Sequence, residues 1–284
     1  MHTEATDVKT LRLSPIVGQT YRECVAANEP CVIQGLFDVL PGLRQWNLET
    51  AQTRIEEKDL AVIVTPRQTD RISGNASREM MPTSAYFQKL AELGSTTADH
   101  YYLAMQSVEK VLPELRPYVE FDTLLPPGLV QSTNFWLGPG STRVCLHIDS
   151  YDNFFMQLTG SKTFYLYAPT DRKYLYVNSP FRASPEESQI DPTNIDYERF
   201  PLTHHARLIK VTLHAGDMLF LPIYWWHAVV GGGDITISIN LWCKGRTFSS
   251  WDGATQLMPR RLMEVCHERL ATLFKPQRHQ QHNP

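Results

Sequence analysis

The sequence predicts a mainly β protein, a barrel flanked by helices, and three observations carry that prediction. Between residues 131 and 245, short runs rich in β-branched and aromatic residues recur, separated by Gly138-Pro-Gly, Thr159-Gly, Ala215-Gly-Asp and Gly231-Gly-Gly. Such punctuation is the rhythm of strands and turns. The chain of 284 residues is long for one ordinary domain, but β barrels of roughly 200 to 250 residues fold as single units. Its composition, 42% hydrophobic and 20% charged, supplies a large core, and no apolar run approaches the roughly 18 residues a membrane-spanning helix needs.

Three regions follow one another. Residues 1–130 are expected to form an N-terminal α/β segment packing on the barrel. In it Pro30-Cys-Val-Ile-Gln and Leu60-Ala-Val-Ile-Val read as strands, and residues 84–93 and 108–118 as helices. Residues 131–245 are the barrel, and residues 246–284 a helical segment and tail. From Pro259 onward Leu262, Val265, Cys266, Leu270, Leu273 and Phe274 recur mostly at spacings of three and four, a single apolar stripe. That stripe either covers the barrel of its own molecule or pairs with a second copy as a homodimer. The polar end, Arg278-His-Gln-Gln-His-Asn-Pro284, is expected to be disordered.

Composition also narrows the function classes. Five cysteines, Cys24, Cys31, Cys145, Cys243 and Cys266, form no C-x-x-C pair and leave an odd thiol, which argues against a disulfide framework or a structural zinc site. They read as reduced and mostly buried. A net charge of −3 and no basic run weigh against a nucleic-acid partner. Arg260, Arg261, Arg269, Lys275 and Arg278 enrich the C-terminal region but read more simply as a solvated helix face. The first residues lack the basic start and apolar stretch of a secretory signal, so the expected compartment is cytoplasm, with the nucleus left open.

The residues that carry chemistry are His147-Ile-Asp149 and, eighty residues on, His227. In a strand, residues i and i+2 share a face and lie about 6.5 to 7 Å apart. His147 and Asp149 can therefore point together while Ile148 points away. The run Arg143-Val-Cys-Leu-His-Ile reads as the strand that delivers them. His227 lies between the strand signals 218–222 and 235–242, near a strand end. Two imidazoles and one carboxylate can occupy one face of an octahedral Fe(II) and leave the other face open. A His-x-Asp tripeptide alone recurs by chance in a chain with ten histidines; its neighbours are what strengthen it.

Those neighbours are Asn153-Phe-Phe-x-Gln157, Gly160-x-Lys162, Ser188-Gln-x-Asp191, Asp196-Tyr-Glu-Arg-Phe-Pro201, Gly216-Asp-x-Leu, Pro222-x-Tyr-Trp-Trp-His227, and Gly232-Gly-x-Ile-Thr-Ile to Asn240-x-Trp242. In this order the stretch 134–245 resembles the catalytic core of the JmjC-type 2-oxoglutarate oxygenases, and within them it is most similar to the asparaginyl hydroxylase called factor inhibiting hypoxia-inducible factor. Upstream, Pro30-x-Val-Ile-x-Gly35 and Trp46 are similar to the wider cupin-like group. The resemblance implies a double-stranded β-helix of the jelly-roll or cupin kind. It also implies Fe(II) held by His147, Asp149 and His227, with 2-oxoglutarate and O2 as cosubstrates of a protein hydroxylation. Lys162 matches the cation for the far carboxylate of 2-oxoglutarate, Tyr102 a hydroxyl reaching the same group, Asn153 and Asn240 the amides lining that pocket, and Trp242 a wall. Tyr101 is an equally adjacent alternative to Tyr102, and a surface lysine after Gly160 is the plain alternative for Lys162.

Two departures from that pattern matter. Val144 stands where the asparaginyl hydroxylase has a threonine contacting the far carboxylate, and one lost neutral hydrogen bond costs roughly 0.5 to 1.5 kcal/mol. On the substrate side, before Ser188-Gln189, Glu186-Glu187 replace an arginine and a glutamine that engage the target amide. With Glu186, Glu187 and Gln189 as substrate residues, an acidic pair suits a basic target side chain or flank; solvated glutamates on a long loop are the bland alternative. Readings kept beside protein hydroxylation are an N-methyl-lysine demethylase, a tRNA-modifying oxygenase and a non-enzymatic cupin binding module.

Overall fold

The computed structural model describes residues 8–16, 18–65, 72, 76–92, 100–118, 125–179, 184 and 186–244. The expected C-terminal helix, and the dimer contact hung on it, lie outside the described residues. In chain order the elements are β1 (Lys9–Arg12), α1 (Gln19–Ala27), β2 (Cys31–Gln34), α2 (Leu36–Val39), α3 (Leu48–Arg54), β3 (Asp59–Thr65), β4 (Arg78–Pro82), α4 (Thr83–Ala91) and β5 (His100–Ser107). They continue with β6 (Val130–Pro139), β7 (Arg143–His147), β8 (Asp152–Tyr167), β9 (Ile209–His214), β10 (Met218–Leu221) and β11 (Trp226–Cys243). The molecule is mostly β, as expected, and its sheet stays open, in keeping with a jelly roll.

Two long strands organise it. Ser161–Leu166 of β8 pair with β9, and Trp226–Gly232 of β11 pair with the same end of β8, with β7 on the outer side of β11. Asn153–Met156 of β8 pair instead with β10, and Ile235–Cys243 of β11 with β6. Each long strand thus belongs to a minor sheet, β7-β11-β8-β9, and to a major one, β1-β2-β10-β8-β11-β6-β5-β3-β4. Thr159-Gly160 and Gly231-Gly-Gly, expected as turns, are instead places where continuous strands bend. The β8–β11 register slips between Gly232 and Ile237. Gly160 has φ +71°, and a Cβ there would stand 2.4 Å from the Ile235 carbonyl oxygen. Only glycine bends the ladder here without a clash, because it has neither a Cβ nor a positive-φ penalty.

The helical expectation for residues 108–118 is corrected. Residues 108–111 form turns, and only Pro113–Tyr118 wind, as a 3-10 helix. Pro113 has no N–H to donate and disfavours α geometry at Leu112. The N-terminal segment is woven into the barrel: β2 pairs with β10, and β5 with β6. One apolar cluster accordingly joins Ile33, Leu36, Trp46, Tyr86 and Leu103 to Phe135, Phe154, Met156, Phe220 and Ile239. The four described cysteines are reduced and buried, as expected.

Candidate metal centre and cosubstrate pocket

β7 and β11 run antiparallel with His147 directly opposite His227, so their side chains share a face. The ring centroids lie 4.1 Å apart. Asp149 follows the end of β7 and brings its carboxylate 3.9 Å from His147 Nε2 and 3.7 Å from His227 Nε2. One donor atom from each of the three falls within 4.8 Å of the others, the only such cluster among the described residues.

The imidazoles are prepared to donate lone pairs. His147 Nδ1 lies 2.8 Å from the Cys145 carbonyl and His227 Nδ1 3.0 Å from the Trp225 carbonyl. A carbonyl only accepts, so each Nδ1 carries the hydrogen and each Nε2 is left bare toward Asp149. Burial, reinforced by the neighbouring His147, pushes the His227 pKa down to about 4; the ring is neutral near pH 7, as a ligand must be. The side chain of His227 is 5% exposed, whereas those of His147 and Asp149 are 21% and 20%, so the cluster opens on the side of His147 and Asp149. This donor set fits a divalent transition metal with vacant positions.

Lys162, on the minor-sheet half of β8, is 3% exposed and crosses to the major sheet. Its Nζ donates to Tyr102 Oη at 3.2 Å and lies 4.9 to 5.7 Å from the ring centroids of Phe155, Tyr102 and Trp136. Among the described residues no carboxylate pairs with it. Burial therefore drags its pKa to about 7, because nothing compensates desolvation of the ammonium. Burial likewise raises the Tyr102 phenol above its usual range. Of the two tyrosines, Tyr102 reaches Lys162, whereas Tyr101 lies under Lys89 on the other face. The structure thus has a buried amine with no carboxylate partner among the described residues, which is what a dicarboxylate cosubstrate would complete.

The two asparagines meet: Asn240 Nδ2 donates to Asn153 Oδ1 at 3.0 Å. Trp136 Nε1 donates to Asn240 Oδ1 at 2.6 Å, fixing which way that amide faces. Trp136 and Phe155 escaped the sequence reading because aromatic residues in strands read as core; alternation from Asn153 would have found Phe155 two positions on. Trp242 stacks on Tyr151 at 5.4 Å, and its Nε1 is buried with no hydrogen-bond partner. Val144 sits half-buried on β7 opposite Val229.

Residues 186–188 add a strand-like piece to β7. Ile148 N donates to the Glu186 carbonyl at 3.1 Å and Ser188 N to that of Leu146 at 2.8 Å, with Glu187 paired opposite His147. The register separates the acidic pair. Glu187 shares the face of His147 and is buried, whereas Glu186 belongs to the opposite face with Ser188, whose hydroxyl donates to the Leu175 carbonyl. Gln189 is exposed.

Residues 18–246 match the model of the cupin-like domain. The chain is 27% identical over 253 residues to the bifunctional peptidase and (3S)-lysyl hydroxylase JMJD7 of Homo sapiens, across 78% of this chain and 79% of that protein. It is 26% identical over 238 residues to the tRNA wybutosine-synthesizing protein 5 of Gallus gallus, across 78% of this chain and 73% of that protein. With the lysine-specific demethylase 8 of Xenopus tropicalis it shares 27% identity over 220 residues, covering 75% of this chain and 48% of that protein.

Proposed function

Because this chain belongs to the family of cupin-like domains, we propose that it is an Fe(II)- and 2-oxoglutarate-dependent dioxygenase that hydroxylates a side chain of a protein substrate. One observation carries the reading. His147, Asp149 and His227 converge with both Nε2 atoms bare, and β8, which pairs with β11, carries a buried ammonium with no carboxylate partner among the described residues. Fe(II) bound there would let O2 be divided between two substrates, one oxygen atom entering a C–H bond of the target and the other entering succinate as 2-oxoglutarate loses carbon dioxide.

The chain's own residues do the rest. His147, Asp149 and His227 are the residues that would hold the metal, through the two Nε2 atoms and the Asp149 carboxylate. Lys162 Nζ holds its proton against the far carboxylate of 2-oxoglutarate, and the Tyr102 hydroxyl adds a hydrogen bond to that carboxylate. Asn240, oriented by Trp136, and Asn153 present amide donors and acceptors to the rest of the cosubstrate. The indole N–H of Trp242 offers one more donor. Phe155 and Trp136 exclude water from the pocket, which strengthens each polar contact within it.

Glu187, on the face of His147, favours a cationic target side chain or flank; Glu186, on the opposite face, is left the lesser part. The motif likeness to the asparaginyl hydroxylase therefore covers the metal and cosubstrate residues but not the choice of target. The lysyl hydroxylase relative accords with a basic target, and the net charge of −3 gives little support to a tRNA substrate.

The test is anaerobic loading with Fe(II), then oxygen, 2-oxoglutarate and peptide libraries, reading succinate and a one-oxygen mass gain. Absence of 2-oxoglutarate turnover with every peptide and cell extract would overturn the assignment, and formaldehyde release would turn it to demethylation. Glu187→Gln should lower kcat/KM for lysine- or arginine-containing peptides at least tenfold and leave uncoupled 2-oxoglutarate turnover within about twofold; neutral asparagine peptides preferred by both proteins would overturn the charge argument.

A further inference from the structure

His227 is the second residue of β11, and Asp149 lies two residues past the end of β7. The turn before β11, in which Trp225 N donates to the Pro222 carbonyl at 3.3 Å, leads directly into His227. Its third residue, Tyr224, has φ +68°. Turns of this kind normally place glycine or asparagine there, so a tyrosine holds the conformation only where its surroundings impose it. Two tethers impose it. Tyr224 N donates to the Asp149 carbonyl at 3.1 Å, and Ile223 N donates to Asp152 Oδ1 at 2.8 Å. The turn's last carbonyl, that of Trp225, receives His227 Nδ1 at 3.0 Å.

Asp152 is the first residue of β8 and is 4% exposed. Strand alternation sets it on the opposite face from Asn153, behind the metal cluster rather than in it. Burial raises its pKa while the Ile223 N–H pulls the other way. A buried carboxylate here costs the fold more than an apolar side chain would. What it contributes is an acceptor for the Ile223 N–H, one of the two that tether the turn.

We infer that Asp152 is a positioning residue of the metal centre: by accepting the Ile223 N–H it fixes the turn that aims His227 and, through Tyr224, tethers Asp149. This rests on the metal-site reading above. Partners that orient metal ligands are worth about 10- to 100-fold in metal affinity.

The test titrates the purified full chain with Co(II) under anaerobic conditions, following affinity by calorimetry and ligand-field bands by absorption. Asp152→Ala should bind Co(II) 10- to 100-fold more weakly and show altered bands at saturation. Asp152→Asn, whose amide oxygen still accepts, should stay within about threefold of wild type with its bands. Should Asp152→Ala fail to fold, Ile223→Pro removes the same hydrogen bond at a turn position that accepts proline, and the same loss is expected. Wild-type affinity in Asp152→Ala or Ile223→Pro, or Asp152→Asn as weak as the alanine variant, overturns the inference. Failure of the wild-type chain itself to bind Co(II) overturns instead the metal-site reading on which it rests.

Discussion

Lys162 has a pKa of about 7 in the folded chain against an ordinary 10.5, and the direction fixes two pH dependences. Between these values the unfolded chain holds a proton that the folded one lacks, so this group makes the ligand-free protein more stable as pH rises across that window. Below about pH 7 its destabilising effect is fully present. Tyr102, the titratable side chain that meets it, stays neutral throughout. Binding a carboxylate beside Nζ demands the ammonium, so above pH 7 it must take up a proton. The KM for 2-oxoglutarate should then rise by up to about tenfold per pH unit above 7, as initial-rate series at fixed pH would read. Lys162→Met should abolish that dependence together with cosubstrate binding. Asp149→Ala leaves two imidazoles and no anionic ligand, and succinate formation should fall below detection while the melting temperature holds. His147 and Asp149 were legible because an i, i+2 pair needs only strand alternation. Lys162, Asn153 and Asn240 were singled out through likeness alone, and what the structure adds is their burial and mutual placement. Trp136 and Asp152 were not, since an indole in a strand looks like core and a lone aspartate before a strand looks like a turn residue; only the register discloses what each holds.

The elements that deliver these side chains are two bent strands, and glycine is what allows the bends. At Gly160 an alanine would meet the positive-φ penalty of about 1–2 kcal/mol and a carbonyl oxygen at 2.4 Å. Gly160→Ala should therefore lower the melting temperature by at least about 2 to 8 °C, taking 2–4 °C per kcal/mol for a domain of this size. Gly42→Ala, with nothing within 4 Å of the added methyl, should change it by less than about 1 °C; calorimetry on both variants separates the two cases. The sequence located these glycines but not their role. A glycine between apolar runs signals a change of direction, and whether that change is a hairpin or a bend within one strand depends on partners far along the chain. Residues 108–118 misled for a more local reason, since their apolar spacing ignores the interruption at Pro113.

Across the whole molecule, the barrel's strands and its N-terminal segment share one core. Residues 131–245 by themselves would lose β2 from the side of β10, β5 from the side of β6, and Ile33, Leu36, Trp46, Tyr86 and Leu103 from the apolar cluster. That fragment is expected to aggregate or to lack dispersed methyl and amide resonances by NMR, whereas residues 8–244 fold. Composition and turn spacing made the β architecture legible, but pairing between distant strands carries no local signature. The pairing of His147 with His227 has a further consequence in time. At about 5–20 residues per second of synthesis, some 4 to 16 s separate the emergence of the two histidines from the ribosome. Throughout that interval the nascent polypeptide displays only two of the three donors of the proposed metal site, so a metal would be captured stably only after the last long strand has closed.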